Sequence, residues 1–266
     1  MKGTKHAFGT QEWAGKNVNI INGCAHDCRY CYAKEMAIRY KRNTKEGWKI
    51  ETLSAKAYSK KYKKFEGTTM YPSTHDITPQ SLPYSLNTIR GLLDAGNTLL
   101  IVSKAHLECV KKICESFEDF RSKILFRFTI GSSDSKVLKF WEPGAPSFEE
   151  RFASLKYAFE EGFRTSVSCE PFLDEQVVEL VHLVEPFVND TVWLGKANSL
   201  LNRLKKNGYG DAVTLVKAHD LINKVYSETA IMRVYEALRN DPKVRWKESL
   251  KKVIGLPLST VAGLDI

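Results

Sequence analysis

Short runs rich in β-branched and aromatic residues alternate along this chain with amphipathic stretches, and this alternation most constrains its fold. Strands that alternate with helices are typical of a parallel sheet with right-handed crossovers. The predicted strands cover residues 18–22, 68–71, 98–103, 124–130, 165–169 and 191–194. Six strand–helix units are fewer than the eight that close a barrel. The sequence therefore predicts an α/β fold in the form of an incomplete barrel.

Two of the intervening helices carry signals for where they begin and end. Ser147 and Glu150 have the spacing of a capping box, and apolar residues then recur at helical spacing until Gly162. Asp174 is predicted to cap a second, apolar helix that ends near Pro186. Both helices lie between predicted strands, as crossover helices of a parallel sheet do.

The alternation stops after about residue 210. Residues 211–240 are predicted to form one or two helices, and residues 243–254 a third, basic helix. No Pro/Gly/Ser-rich linker precedes them. We therefore expect a partial barrel over residues 1–210, with residues 211–266 as a C-terminal helical extension packed on it.

Composition favours a globular protein without membrane association. Hydrophobic residues make up 43% and charged residues 27% of the 266 residues. No window approaches the roughly 18 apolar residues of a membrane span, and the N-terminus lacks the apolar core of a secretory signal. We therefore expect a cytoplasmic location, where six cysteines point to metal binding or catalysis before disulfides.

The chain carries a formal net charge of +9, and the excess is concentrated between residues 34 and 66. This stretch has eleven basic and four acidic residues, and it is densest at residues 60–64. Four aromatic residues lie among the basic ones: Tyr40, Trp48, Tyr58 and Tyr62. Such a pattern can bind a phosphate backbone and stack on bases, although a solvated surface with no ligand is the alternative.

The most specific motif is the loop that follows the first predicted strand. It contains Cys24, Cys28 and Cys31 with the spacing C-x3-C-x2-C, and a predicted helix follows. Three thiolates can hold three irons of a cubane cluster, and the fourth iron then keeps an open position for a ligand. The loop also lies at the carboxyl end of a strand, where barrel enzymes place their chemistry.

Two other uses of these cysteines remain open. A zinc site could add His26 or a distant histidine, although zinc loops favour paired C-x2-C spacing. An electron-transfer cluster could take a fourth cysteine from the rest of the chain, which contains Cys109, Cys114 and Cys169. We expect these last three to be buried structural residues, because two lie on the helix after the third strand and one faces away from the barrel interior.

The cysteine loop, with Tyr30 just before its third cysteine, resembles that of the radical S-adenosylmethionine (SAM) superfamily. The resemblance implies a partial (β/α)6 barrel and a 4Fe-4S cluster whose open iron binds SAM. It also implies reductive cleavage of SAM to a 5′-deoxyadenosyl radical, with a reductase or a flavodoxin-type protein as electron donor. Tyr30 is then expected near the adenine of SAM.

Residues 101–106, 126–132 and 141–155 are similar to the matching stretches of the spore photoproduct lyase family and its DNA-repair relatives, so that the similarity covers roughly residues 17–162. It implies that Lys104 and Ser132 contact SAM and that Tyr32 takes part in hydrogen-atom return. Each has a structural alternative, as a surface lysine, a turn serine and a packed aromatic residue.

Residues near the ends of other strands complete the predicted site. Arg151 can clamp a carboxylate, or pair with Glu142 or Glu149 as structure. Glu170 ends the fifth strand and is a candidate ribose or amine contact. His75 follows the second strand as a candidate acid/base, and Lys196 and Asn198 follow the sixth.

One departure from the lyase family concerns hydrogen transfer. In that family a cysteine just after the second strand donates a hydrogen atom to the substrate radical. The resemblance places Ser73 there, and no cysteine lies between Cys31 and Cys109. We therefore expect a radical SAM enzyme acting on a nucleic acid or nucleotide, with an outcome that differs from the lyase's. One alternative is a radical SAM enzyme that acts on a peptide or a small metabolite. The other is a non-catalytic module that binds an iron–sulfur cluster or zinc.

Overall fold

Seven parallel strands form one curled sheet in the computed structural model, which describes residues 6–263. The sheet has the order β1-β4-β5-β6-β7-β8-β9, and a separate antiparallel pair is formed by β2 and β3. The strands are β1 Lys16–Asn17, β2 Ile21–Asn22, β3 Thr52–Leu53, β4 Thr68–Tyr71, β5 Thr98–Ser103, β6 Ile124–Thr129, β7 Arg164–Cys169, β8 Val192–Leu194 and β9 Val244–Trp246. The predicted partial α/β barrel is confirmed.

Helices follow most strands and cover the outer face of the sheet. They are α1 Tyr32–Arg39, α2 Ala55–Tyr58, α3 Leu82–Asp94, α4 Leu107–Ser116, α5 Ser135–Trp141, α6 Phe148–Glu160, α7 Val177–Val184, α8 Leu200–Asn207, α9 Ala212–Asp220, α10 Glu228–Leu238 and α11 Glu248–Ile254. Within the part of the chain that the structure describes, no helix is long and apolar enough to cross a membrane.

The first predicted strand, residues 18–22, is corrected: β1 lies just before it, and only its last two residues form a strand, β2. β1 pairs with β4 in the main sheet, whereas β2 pairs with β3. Between them, the side chain of Asn19 accepts hydrogen bonds from the backbone N–H groups of Ser73 and Thr74, at 2.7 and 2.9 Å. These side-chain bonds replace further ladder bonds, so the strand leaves the sheet where it reaches the loop after β4.

The capped helix is confirmed and the second prediction is corrected. The Ser147 side chain accepts from the N–H of Glu150, and Gly162 follows α6 with a φ of +77°, which only glycine adopts without strain. Asp174, however, is not the cap of α7. The N-cap position is Gln176, and the Asp174 carboxylate accepts from the Gln176 N–H in the preceding turn.

The main apolar core lies between the sheet and its helices, and it contains the three cysteines outside the motif. Cys109 and Cys114 lie on α4 and Cys169 ends β7, all at most 2% exposed. Burial raises the pKa of the Cys109 and Cys114 thiols to about 12, so both remain protonated at neutral pH. These residues pack as small hydrophobic side chains, as expected.

The C-terminal region is helical over α9 and α10, as predicted, but residues 243–254 are not one helix. Val244–Trp246 forms β9, which pairs in parallel with β8, and α11 begins only at Glu248. Pairing with β8 provides hydrogen-bond partners for the backbone N–H and C=O groups of these three residues. The division of the chain at residue 210 stays a prediction.

The N-terminal segment lies against the last strand of the sheet. The buried ammonium of Lys247 donates to the carbonyl of Gly9 at 2.7 Å and lies 2.7 Å from the Glu12 carboxylate. It also lies 4.2 Å from the ring centroid of Trp13. Because Lys16–Asn17 is the other edge of the sheet, this segment connects the two edge strands of the open barrel.

Candidate active site

One cavity of about 410 Å³ lies at the carboxyl ends of the parallel strands. Its size is in the range of small-molecule and cofactor sites. Nine of the eleven site residues predicted from the sequence line it: Cys24, Cys28, Tyr30, Cys31, Tyr32, Ser73, His75, Lys104 and Glu170. They come from loops far apart in sequence because the carboxyl ends of parallel strands meet at one edge.

The cysteine loop is held in place through its backbone. The N–H of Cys24 donates to the carbonyl of Trp48 at 2.8 Å, and the N–H of Gly144 donates to the carbonyl of His26 at 3.0 Å. A Cβ at Gly144 would come 2.2 Å from the carbonyl oxygen of Ala25, so a larger residue does not fit there. The loop conformation is therefore fixed by neighbours on two sides.

Helix α8 binds the other end of this loop, which sequence reasoning did not find. The Asn207 amide donates to the carbonyls of Arg29 and Cys31, at 3.0 and 2.9 Å. Arg203 donates to the carbonyl of Tyr30 at 3.4 Å. These contacts join residues more than 170 positions apart, and no local sequence signal indicates them.

The burial of the three thiols of the motif is better explained by a bound cluster than by free, protonated cysteines. Burial, followed by the negative charge nearby, raises the pKa of Cys24, and burial is likewise the largest cause of the raised pKa values of Cys28 and Cys31. A bound cation is what stabilises buried cysteines as thiolates. Beside them, the indole N–H of Trp48 is buried with no hydrogen-bond partner among residues 6–263. A cluster sulfur is an acceptor that would satisfy it.

The histidine considered for a zinc site is engaged elsewhere. His26 Nδ1 lies 3.2 Å from the Asp76 carboxylate, and its Nε2 is 3.1 Å from Nε2 of His106. Among the described residues, no three histidine, cysteine or acidic side chains converge on one metal-ion position.

A charged group lies next to the cysteines. The Tyr30 hydroxyl donates to the Glu142 carboxylate, which lies 2.5 Å from the Arg151 guanidinium and 3.9 Å from the Lys104 ammonium. Burial alone would raise the pKa of Glu142, but attraction to Arg151 and Lys104 lowers it. Burial would likewise lower the pKa of Lys104, but the charges around it, Cys28 and Glu142 first, raise it. Lys104 therefore brings a positive charge to the cavity.

Two predicted cofactor contacts lie off the cavity. Arg151 is fully buried, and besides Glu142 it donates to the carbonyls of Pro146 and Thr129. The structural alternative for Arg151 is thus the arrangement present. Ser132 is also fully buried, and its hydroxyl donates to the Asp174 carboxylate.

His75 lines the cavity, but both ring nitrogens bind backbone. Its Nε2 accepts from the N–H of Ile20 at 3.2 Å, and its Nδ1 lies 2.9 Å from the carbonyl of Asp76. Burial lowers its pKa, so the ring is neutral at pH 7. In this geometry His75 positions the loop after β4, and it has no nitrogen free for acid/base chemistry.

Tyr32 and Ser73 are in direct contact at the cavity. The Tyr32 hydroxyl donates to the backbone carbonyl of Ser73, and the Ser73 hydroxyl accepts from the Asn19 amide at 2.9 Å. Burial raises the pKa of Tyr32, so the phenol keeps its proton at neutral pH. Its O–H bond therefore remains available for hydrogen-atom transfer.

Charged and polar side chains from the last strands and α11 also line the cavity. Glu170 lies 3.6 Å from the ammonium of Lys247, and burial raises the pKa of its carboxyl group. Lys196, Asn198 and Glu248 line the cavity as well, and the Asn198 amide donates to the Glu248 carboxylate at 3.0 Å. Acidic and basic side chains therefore line a cavity whose remaining surface is largely apolar.

Comparison with known proteins agrees with this geometry. The family model described as "Radical SAM superfamily" matches residues 18–184, well over half of the chain. This chain belongs to the radical SAM superfamily. Superfamily membership implies a 4Fe-4S cluster and SAM as cofactors, for which the thiols and the cavity are suited.

Two curated relatives are themselves uncharacterized. An uncharacterized protein, ORF301, of Acidianus two-tailed virus is 27% identical over 174 residues, covering 60% of this chain and 55% of the relative. An uncharacterized protein of Methanocaldococcus jannaschii, MJ0683, is 27% identical over 176 residues, covering 65% of this chain and 66% of the relative. The chain thus spans little more than half to two thirds of the length of these relatives.

Solved structures share the fold. A mutant of spore photoproduct lyase with bound AdoMet and dinucleoside spore photoproduct matches with a TM-score of 0.57 and 14% identity, over 92% of this chain and 79% of the lyase. SuiB of Streptococcus suis bound to its precursor peptide SuiA matches with a TM-score of 0.52 and 13% identity, over 96% of this chain and 54% of SuiB. At these identities the matches show the fold alone.

Proposed function

We propose that this protein is a radical SAM enzyme that abstracts a hydrogen atom from a nucleic acid or nucleotide substrate. The observation that carries the proposal is the gathering of Cys24, Cys28 and Cys31 with six other predicted residues around one cavity. The cavity lies at the carboxyl edge of the parallel sheet, where catalytic groups of such barrels lie.

The residues of the cavity have distinct tasks in this proposal. Cys24, Cys28 and Cys31 hold the 4Fe-4S cluster, and Lys104 supplies a fixed positive charge beside them for a carboxylate. Glu170, which also lines the cavity, can accept hydrogen bonds from hydroxyl or amine groups. When bound, the cluster and SAM supply an electron and a 5′-deoxyadenosyl radical that takes a hydrogen atom from the substrate.

Basic charge supports a nucleic acid substrate. Lys60, Lys61, Lys63 and Lys64 are all exposed, and the loop that carries them is held by Asn97, which accepts from the N–H of Phe65 at 2.8 Å. Lys34, which begins the basic stretch, is instead buried against Asp27 at 2.7 Å and does not belong to this surface. The lyase of the same fold has been solved with a dinucleoside, which is consistent with this substrate class.

The class of enzyme is tested by anaerobic reconstitution. We expect about four irons per chain, an absorbance spectrum that shifts on adding SAM, and release of 5′-deoxyadenosine on reduction. Stoichiometric zinc without iron after anaerobic purification would contradict the proposal.

The substrate class is tested by the salt dependence of oligonucleotide binding. Changing Lys60, Lys61, Lys63 and Lys64 together to Gln should reduce the slope of log affinity against log salt by about 3 to 4, at about 0.9 per phosphate contact. The control Lys111→Gln/Lys112→Gln, at exposed positions on α4, should leave the slope unchanged. Absence of oligonucleotide binding at low salt would favour a peptide, as in the SuiB structure, or a small metabolite.

A further inference from the structure

Helix α1 uses only part of its circumference to hold the fold together. Ala33 and Ala37 are buried in one cluster with Cys24. Glu35, on another side of the helix, forms ion pairs with two basic residues of α8, at 3.4 and 3.0 Å. The remaining face of the helix is covered by neither of these contacts.

That face carries a row of large apolar side chains. Tyr32, Met36 and Tyr40 are four residues apart, the spacing that places side chains one above the other on a helix. Their side chains are 41%, 36% and 57% exposed. Tyr32 lines the cavity, so this row, the α1 row, begins at the active site and continues along the surface. A ligand that extends out of the cavity therefore meets it.

The outer part of the α1 row is surrounded by positive charge. Residues 36–45 contain four basic residues and no acidic residue. Arg39, Lys41 and Arg42, here called the basic rim, are exposed and form no ion pair with any carboxylate in the part of the chain that the structure describes. The two guanidinium groups lie 5.7 and 5.8 Å from the centroid of the Tyr40 ring. The exposed ring and the uncompensated charge are therefore at one place.

This combination matches an unpaired nucleotide strand. A base stacks on an exposed aromatic ring of any sequence context, and a guanidinium beside that ring neutralises the adjoining phosphate. A duplex keeps its bases stacked on one another and presents only its backbone and groove edges, so it leaves exposed rings unused. The charge of the basic rim also has no counterpart in an apolar partner. The α1 row and its rim thus favour a single strand.

We propose that the α1 row and the basic rim bind an unpaired nucleic acid strand next to the nucleotide that reacts in the cavity. The row spans eight residues, about 12 Å, which corresponds to about three nucleotides. This inference rests on the proposed function and narrows its substrate class to single-stranded nucleic acid.

The test measures binding to the reconstituted holoprotein by fluorescence anisotropy. The probes are an octanucleotide of mixed sequence, as DNA and as RNA, and the corresponding duplexes. Met36→Gln/Tyr40→Ser removes the exposed groups outside the cavity without changing any charge. Its affinity for the single strands should fall about fivefold or more, the lower end of what one stacked base contributes, while the salt dependence stays the same. Its affinity for the duplexes should change less than about twofold.

A second variant separates charge from stacking. Arg39→Gln/Arg42→Gln should reduce the slope of log affinity for single strands against log salt by about 1.4, at about 0.7 per phosphate contact. The matched control is Tyr157→Ser, which removes a half-buried tyrosine of α6 whose ring centroid lies 5.4 Å from the Lys111 ammonium. It should leave both the affinity and the slope unchanged.

Unchanged single-strand affinity of Met36→Gln/Tyr40→Ser, with tight binding by the wild type, would overturn this inference and leave the proposed function standing. An equal loss of affinity for duplexes would also overturn it. So would a wild-type dimer in sedimentation velocity that the same variant dissociates, since the α1 row would then bind a second copy of the chain. If the wild-type protein binds no probe at low salt, the nucleic acid substrate fails and the inference fails with it.

Discussion

The hydroxyl of Tyr32 donates its hydrogen bond to the backbone carbonyl of Ser73. The sequence resemblance connects both residues with hydrogen-atom return, and they meet although they lie 41 positions apart in the chain. Both line the cavity beside the cysteine motif. The contact therefore places a phenol, whose O–H bond is weak, directly against the residue that the sequence resemblance aligns with the donor cysteine of the lyase family.

Tyr32→Phe tests whether the phenol returns the hydrogen atom. Removing the hydroxyl leaves the ring and the cysteine loop in place, so SAM cleavage should continue at a rate within about twofold of the wild type. Product formation should fall by about a hundredfold or more, by analogy with the lower end of what a positioned proton donor contributes. The measurement is the ratio of product to 5′-deoxyadenosine in one anaerobic turnover experiment. An unchanged ratio would mean that Tyr32 only packs against the loop.

Ser73→Cys tests the departure from the lyase family. The Ser73 side chain is partly exposed at the cavity and its N–H is fixed by Asn19 at 2.7 Å, so a thiol there is held by the same backbone. We expect the wild-type protein to repair dinucleoside spore photoproduct poorly and Ser73→Cys to gain measurable repair, because the S–H bond is weak. Liquid chromatography of the released dinucleoside measures both. Efficient repair by the wild-type protein would show that the thiol is dispensable.

Six single Cys→Ala variants separate cluster ligands from packing residues. Loss of Cys24, Cys28 or Cys31 should abolish the iron content of reconstituted protein. Cys109, Cys114 and Cys169 lie in the apolar core, so their replacement should keep the iron and cost about 1 kcal/mol of folding free energy. Iron analysis and urea denaturation measure the two effects. Loss of iron from one of these three would indicate a four-cysteine electron carrier.

Most strands of the sheet could be predicted because they are runs of β-branched residues, which can be recognised in the sequence without knowing any long-range contact. The strand at Val244–Trp246 was not, since it has only three residues inside a basic stretch and depends on pairing with β8. The separation of β1 and β2 on either side of Asn19 was missed for a similar reason. It depends on Asn19 bonding to the loop at Ser73, 54 positions away.

The site was predictable where residues end strands, because parallel strand ends converge at one edge. Lys104 and Glu170 were found in this way. Ser132 follows the fourth strand but lies off the cavity, where its hydroxyl binds the Asp174 carboxylate. Arg151, on a helix, also lies off the cavity because it binds the buried carboxylate of Glu142. Asn207 carries no signal at all, since its two carbonyl partners are defined only by the packing of α8 on the cysteine loop.

The buried pair of Glu142 and Arg151 predicts a large effect on stability. Glu142→Gln leaves a fully buried guanidinium without its counter-charge, which should lower the free energy of unfolding by about 3 to 5 kcal/mol. Glu115→Gln breaks an exposed pair with Lys112 and should cost less than about 1 kcal/mol. Urea denaturation of both variants measures the difference. Equal small effects would show that the buried pair contributes little.

The same pair sets the direction of the pH dependence. The pKa of Glu142 is lower in the folded protein than its ordinary value of 4.5, so the unfolded chain takes up a proton first. Its contribution to stability is therefore complete above pH 4.5 and is lost as the pH falls toward the lowered pKa. The wild-type protein should lose stability on acidification below pH 4.5 more steeply than Glu142→Gln.

Trp48 predicts a tuning effect on the cluster that activity alone would not show. Its indole N–H is buried beside Cys24 without an acceptor in the described part of the chain, so a cluster sulfur is the group that would receive it. Hydrogen bonds to cluster sulfurs affect the reduction potential. Trp48→Phe should therefore keep the iron and shift the midpoint potential to a more negative value by about 60 mV, the one-electron equivalent of about 1.4 kcal/mol. The apoprotein should lose no hydrogen bond on this change.

The control Trp193→Phe removes an indole N–H that donates to Thr191 at 3.0 Å, so it should cost about 1 kcal/mol of stability and leave the potential unchanged. Redox titration followed by electron paramagnetic resonance gives both potentials, and equal potentials in Trp48→Phe and the wild type would show that the indole only covers Cys24.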